Sequence, residues 1–123
     1  MTSENYNINI NRFNLPFSAQ QAYAACLEAM ERLDLFRSIK GDESMCQITA
    51  LSKDIECDEI LVLKVISFTS SSCEIEMRIS DKFVHKLRSF DTKIQNIDDL
   101  IKLIKNEICG TRNSDVNTME DNK

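Results

Sequence analysis

Apolar and polar residues alternate along the start of the chain, with Tyr6, Ile8 and Ile10 separated by Asn7, Asn9 and Asn11. This period of two predicts a half-buried strand. The phase then flips, because the next apolar positions are Phe13, Leu15 and Phe17. One extra residue near Asn11 and Arg12 would produce the flip, so a bulge or bend is expected there, with Pro16 closing the strand. Ser18 follows as an N-cap, Gln21 completes a capping box, and Phe17 is placed for a hydrophobic staple. From there the period changes to 3.6, with Ala19, Tyr23, Cys26, Leu27, Met30 and Leu33 on one stripe, Glu28, Glu31 and Arg32 on the wet side, and the helix ending near Leu33.

Residues 35 to 40 and 45 to 51 flank Gly41-Asp42-Glu43-Ser44 and read as a hairpin. Residues 60 to 68 are apolar in both phases, as a central strand is, and residues 73 to 79 alternate with Glu74, Glu76 and Arg78 on one wet face. Residues 83 to 94 fit a short strand, a loop or one helical turn. A last helix is expected after Asn96, with Asp98 and Asp99 at the positive end of its dipole and Ile97, Leu100, Ile101, Ile104 and Ile108 as its buried stripe. Gly110 is placed to end it. The predicted order is β-α-β-β-β-β-α, an α+β fold in which an antiparallel sheet carries two helices on one face. Residues 1 to 4 would be a tail, 5 to 110 the domain, and 111 to 123 a disordered tail. The outer sheet face would carry Val62, Ile66 and the Glu74, Glu76, Arg78 row. Two apolar residues there suit either an ordinary surface or a docking patch.

Composition narrows the function classes. At 123 residues the chain has room for one domain and not for a kinase catalytic domain or a TIM barrel. Two glycines and one proline exclude Gly/Pro-rich architectures. Fifteen basic against twenty acidic residues give a net charge of -5, so a nucleic-acid partner is not expected. The five cysteines lie 20, 11, 16 and 36 residues apart, with no close pair and a single histidine, His85. That spacing argues against a metal site and fits buried thiols in a reducing compartment. The start of the chain has no secretory h-region, and the longest apolar run, 22 to 27, is too short for a membrane span. A soluble nuclear or cytoplasmic protein is expected.

Candidate chemistry is sparse. No catalytic residue, cofactor or metal ligand is assigned. His85 has no nucleophile suggested by spacing, and Asp54, Glu56, Asp58 and Glu59 resemble a calcium loop in charge alone. One stretch departs from the acidic average: residues 78 to 93 hold Arg78, Lys82, Lys86, Arg88 and Lys93 against Asp81 and Asp91. Interleaved with Phe83, Val84, Leu87 and Phe90, these suit an anionic lipid headgroup or an acidic or phosphorylated protein surface. The alternative is a mixed surface loop whose apolar residues join the core.

The element order and several short stretches resemble kinase-associated domain 1, the C-terminal module of several Ser/Thr kinases, and within it the regulatory domains of checkpoint kinases. The stretches are Arg12-Phe13, Ala22-Tyr23 with Leu33, Met45-Cys46-Gln47-Ile48-Thr49, Leu61-Val62-Leu63-Lys64-Val65, Glu76-Met77-Arg78-Ile79-Ser80, and Arg88-Ser89-Phe90 with Lys93-Ile94. The resemblance implies a non-catalytic, autoinhibitory domain that docks on a Ser/Thr kinase domain, in cis or in trans, in cell-cycle and DNA-damage signalling. The partner-binding residues would be Arg78, Lys82, Lys86, Leu87, Arg88, Phe90 and Lys93. Two other functions compete with it: peripheral binding of acidic phospholipid, and an unrelated small α+β protein-interaction domain. Leu87 between Lys86 and Arg88, and the shortened turn at Asp81-Lys82, depart from the family pattern.

Overall fold

The computed structural model describes residues 8 to 121, with side chains described as far as residue 110. Five strands, β1 (Ile8–Leu15), β2 (Phe36–Asp42), β3 (Gln47–Ser52), β4 (Ile60–Thr69) and β5 (Ser72–Ser80), form one antiparallel sheet in the order β1-β5-β4-β3-β2. Three helices, α1 (Ala19–Leu33), α2 (Asp81–Leu87) and α3 (Ile97–Asp121), complete the chain. The α+β architecture is the one the sequence predicts, with the short α2 added between β5 and the last helix. The expected tail at residues 1 to 4, and Tyr6, lie outside the described residues.

One face of the sheet is mostly apolar, with Asn9, Asn11 and Ser52 as polar members. Leu15 of β1, Ile48 and Ala50 of β3, Leu61, Leu63 and Val65 of β4, and Cys73, Ile75, Met77 and Ile79 of β5 are buried. Alternate positions on these strands point the other way, as the period of two requires. Against this face lie α1 and α3. From α3 the buried residues are Leu100, Ile104 and Ile108, with Ile97 and Ile101 partly covered, as the predicted stripe requires.

On α1 the deepest residues are Ala22, Ala25, Cys26, Ala29 and Met30, while Tyr23, Leu27 and Leu33 sit at the margin. The contact face is therefore turned toward the small residues. Alanines let two backbones approach closely, which a scan for large apolar side chains underweights. The capping box at Ser18 and Gln21 is formed, both bonds measuring 3.2 Å. Asp34, in the left-handed region at φ 57°, ends the helix. The N-cap of α3 is Asn96, whose Oδ1 accepts from the Asp99 amide at 2.9 Å. That helix runs through Gly110 to Asp121 and does not stop at the glycine.

The expected bulge in β1 does not occur. Eight consecutive residues pair with β5, from Ile8 opposite Ser80 to Leu15 opposite Cys73, without a shift. Phe13 and Leu15 therefore set the inward phase. Asn9 and Asn11 share it, and Ile8 and Ile10 face solvent. Asn9 meets a partner on the inner side, its Nδ2 donating to Asp81 Oδ1 at 2.6 Å. The sheet does carry an irregularity at Arg37 in edge strand β2, between the pairs made by Phe36 and Ser38. There the Arg37 guanidinium Nε donates to the Ser52 carbonyl at 2.8 Å.

The α2 helix explains residues 83 to 94. Ser80 ends β5 and caps α2 in one step, its hydroxyl accepting from the Phe83 amide at 3.1 Å. Phe83 then packs on Phe36 with ring centroids 6.2 Å apart, and Phe83, Val84 and Leu87 are buried.

The hairpin turn also differs from its sequence reading. Gly41 stays within β2, paired with Ile48, and the turn is closed by Asp42, which accepts from the Ser44 hydroxyl at 2.7 Å and the Met45 amide at 3.3 Å. Gly41 is needed for space: a Cβ there would lie 2.1 Å from the Tyr23 hydroxyl and 3.1 Å from its Cζ. Gly41→Ala should therefore destabilise the fold by about 1 kcal/mol, a fall of roughly 4 °C in Tm. Because most of the clash is with the hydroxyl, Tyr23→Phe in the same chain should restore most of the loss. Thermal denaturation of the two single variants and the double variant checks this, and additive losses would contradict it.

Candidate functional site

The solvent face of the sheet leaves several apolar side chains uncovered, and Met45, Ile55 and Phe90 are exposed outside the strands. Because β1 keeps one phase along its length, Ile8 and Ile10 emerge on this face, 57% and 45% exposed, and Ile60 of β4 joins them at 46%. Register aligns the neighbours: Ile10 is opposite Arg78, which is opposite Val62, which is opposite Thr49. The next row runs Arg12, Glu76, Lys64 and Gln47, and beyond it Glu74 lies between Asn14 and Ile66. The face thus divides into an apolar end and a charged middle.

Two adjoining depressions mark the boundary. The first, about 250 Å³, is lined by Ile8, Ile60, Val62, Arg78, Ile79 and Ser80. The second, about 320 Å³, is lined by Gln47, Val62, Lys64, Glu76 and Arg78. Glu76 holds the charged row together. It accepts from Arg12 at 3.2 Å and from Arg78 at 3.2 Å, while Arg12 also lies 4.0 Å from Glu74. With both arginines about half exposed, these pairs fix side-chain direction more than they stabilise the fold.

The basic stretch at residues 78 to 93 is not one surface. Arg78 projects from the solvent face of the sheet, whereas Phe83, Val84 and Leu87 of α2 fill the core. Leu87 is 0% exposed and so cannot be a surface contact in this fold. Lys86 pairs with Asp54 at 3.3 Å, and Arg88 donates to the Gln95 carbonyl, tying down the turn before α3. Lys82 is half-buried, and Phe90 and Lys93 are exposed beyond α2, with the Lys93 amide donating to Asp91 at 3.0 Å. Sequence order placed these groups side by side; the strand-to-helix transition at Ser80 separates them. Ile8, Ile10 and Ile60 were missed as surface residues for the converse reason. Alternation at Ile8 and Ile10 looks the same whether they face in or out, and Ile60 stands in a run that is apolar in both phases.

Cys26, Cys57 and Cys73 are buried among core side chains, while Cys46 and Cys109 are half-buried. Burial pushes the Cys26 thiol up to about 12, with Cys73 as a second, smaller cause, and burial raises Cys73 as well. Raised values disfavour the thiolate that nucleophilic chemistry needs. His85 is exposed on α2, beside a depression of about 320 Å³ that Arg88, Gln95 and Asn96 also line. Among the described residues no group of His, Cys, Asp and Glu side chains is placed to hold a metal ion.

No family model matches the chain, and no curated protein matches it. Solved structures do. A protein from Thermobifida fusca, solved in solution, is 12% identical with a TM-score of 0.54, covering 87% of this chain and 93% of its own. A crystal structure from Thermus thermophilus is 11% identical with a TM-score of 0.52, covering 85% and 99%. Truncated norcoclaurine synthase from Thalictrum flavum is 10% identical with a TM-score of 0.48, covering 86% and 92%. For the first two the likeness is one of fold alone. The findings overturn the resemblance to kinase-associated domain 1, because no kinase-associated domain or checkpoint-kinase regulatory domain is among the matches. The checkpoint, cell-cycle and autoinhibition readings go with it. The physical reason is visible in the quoted stretches. Leu61-Val62-Leu63 or Glu76-Met77-Arg78-Ile79 is the alternation that an antiparallel strand under helices needs, whatever its family.

Asp54 offers a check on the placement of the loop between β3 and β4. The Glu56 amide, and after it Lys86, holds its carboxyl below the ordinary value of 3.8. A lowered folded pKa contributes stability that is fully present above about pH 4 and is lost as the pH falls through the lower folded value. Asp54→Asn should therefore flatten that part of the acid limb, followed as Tm between about pH 5 and 2. An unchanged acid limb would contradict the placement.

Proposed function

We propose that this chain is a small, non-catalytic α+β protein-interaction domain that docks through the solvent face of its sheet. The observation that carries the reading is the exposure of Ile8, Ile10 and Ile60 around Val62 and Arg78 on one face. Covering each half-exposed isoleucine would contribute about 1 kcal/mol. An arginine set among apolar side chains is the kind of group that concentrates binding energy at a protein interface. The non-catalytic part of the reading is supported by the raised thiols of Cys26 and Cys73 and by an interior filled with large side chains. Met30, Leu63, Met77, Phe83 and Leu100 occupy the space between sheet and helices at full burial.

A flat anionic membrane is a poorer match than a protein. Arg78 lies on the opposite side of the sheet from the buried face of α2, and Lys86 is already paired with Asp54. Lipid attraction needs several cations presented together, at about 1 kcal/mol each. Among the described residues, no helix is long and apolar enough to cross a membrane.

Photo-crosslinking in living cells tests the docking face. A photoreactive residue in place of Ile10 or Val62 should give discrete protein adducts, and one in place of Lys102 on α3 should give few or none. Equal adducts from all three positions, or none from positions 10 and 62, would overturn the reading.

A further inference from the structure

We infer that the partner covering this face is a second copy of the same chain, in a two-fold, sheet-to-sheet dimer; this rests on the docking reading above. The first argument is charge. The chain carries a net -5, so two copies repel on most approaches. The solvent face is different: Arg12, Lys40, Lys64 and Arg78 stand against Asp42, Glu74 and Glu76, four positive groups against three negative. A strongly acidic or strongly basic partner would leave one sign of this face opposed by its like. A surface of the same mixed pattern would not.

The second argument is register. A two-fold axis laid along the boundary between β4 and β5 exchanges those strands, and exchanges β1 with β3. Lys64 and Glu76 are direct neighbours across that boundary. The axis therefore sets Lys64 of each copy over Glu76 of the other, twice, as a two-fold interface demands. It also sets Ile8 over Leu51, both on the solvent face, and so closes the apolar end. Lys64 makes no ion pair with another described residue, and its charge is available for this contact.

The third argument is size. The axis superposes four strands of each copy, about 4.8 Å apart and about eight residues long, which present roughly 500 Å². Two such faces bury roughly 1,000 Å² together, the least area expected of a specific interface and in the range of weak, transient ones. The dimer should accordingly be reversible and concentration-dependent.

Sedimentation equilibrium of the full chain, from about 5 to 500 µM, tests this. The mass should rise from 14.1 kDa toward twice that value. Lys64→Glu should weaken the dimer at least about tenfold, and Lys64→Arg, which keeps the charge, should leave the affinity within about twofold. Val62→Lys should abolish the dimer with an unchanged far-UV circular dichroism spectrum; should that variant not fold, Ile10→Lys at the exposed edge strand replaces it. A chain that stays monomeric at the highest concentration overturns the inference, as does a dimer indifferent to Lys64→Glu and Val62→Lys. A monomer that still gives adducts from position 10 in cells would place a different protein on the face, leaving the docking reading intact.

Discussion

The pairing of β1 with β5 decides what this molecule presents to its surroundings. A strand has two faces, and a shift of one residue exchanges them. Phe13 and Leu15 fix the inward phase near Pro16, and uninterrupted pairing carries that phase back to Ile8. Two isoleucines are thereby sent outward and two asparagines inward. The arrangement gives up the burial of Ile8 and Ile10, and keeps Arg12 within reach of Glu74 and Glu76. Everything specific about the solvent face follows from this register.

The other face shows how completely the fold uses its interior. Ala22, Ala25 and Ala29 let α1 approach the sheet closely, and Phe83 of α2 fills the end near Phe36. Small helix residues, large strand residues and one inserted aromatic ring together give a dense core. The Arg32 guanidinium then ties the helices on the outside, lying 3.4 Å from Glu28 and 3.5 Å from Glu107 on α3.

Much of the fold was legible because long periodic segments carry their own evidence. Ser18 and Gln21, the α3 stripe, and the alternation over residues 73 to 79 each have one reading that buries their apolar side. The exceptions share a cause: local patterns that tertiary contacts reinterpret. Gly41 looked like a turn residue, and Tyr23, eighteen positions earlier, keeps it in the strand. Ser80 looked like the end of a strand and also begins a helix. Of the candidate site, Val62, Ile66 and Arg78 were visible from strand phase. Ile8 and Ile10 were not, because the phase change at Phe13 suggested a bulge. The basic stretch misled in another way, since charge summed along a sequence ignores which face each residue takes.

The claim that the solvent face is the working surface is tested most directly by amide chemical shifts of the labelled chain across a concentration series. The account predicts shifts or broadening confined to β1, β5, β4 and β3, strongest around Ile10, Val62, Lys64 and Arg78, with α1 and α3 unmoved. Changes centred on the helices, or none at any concentration, would contradict it.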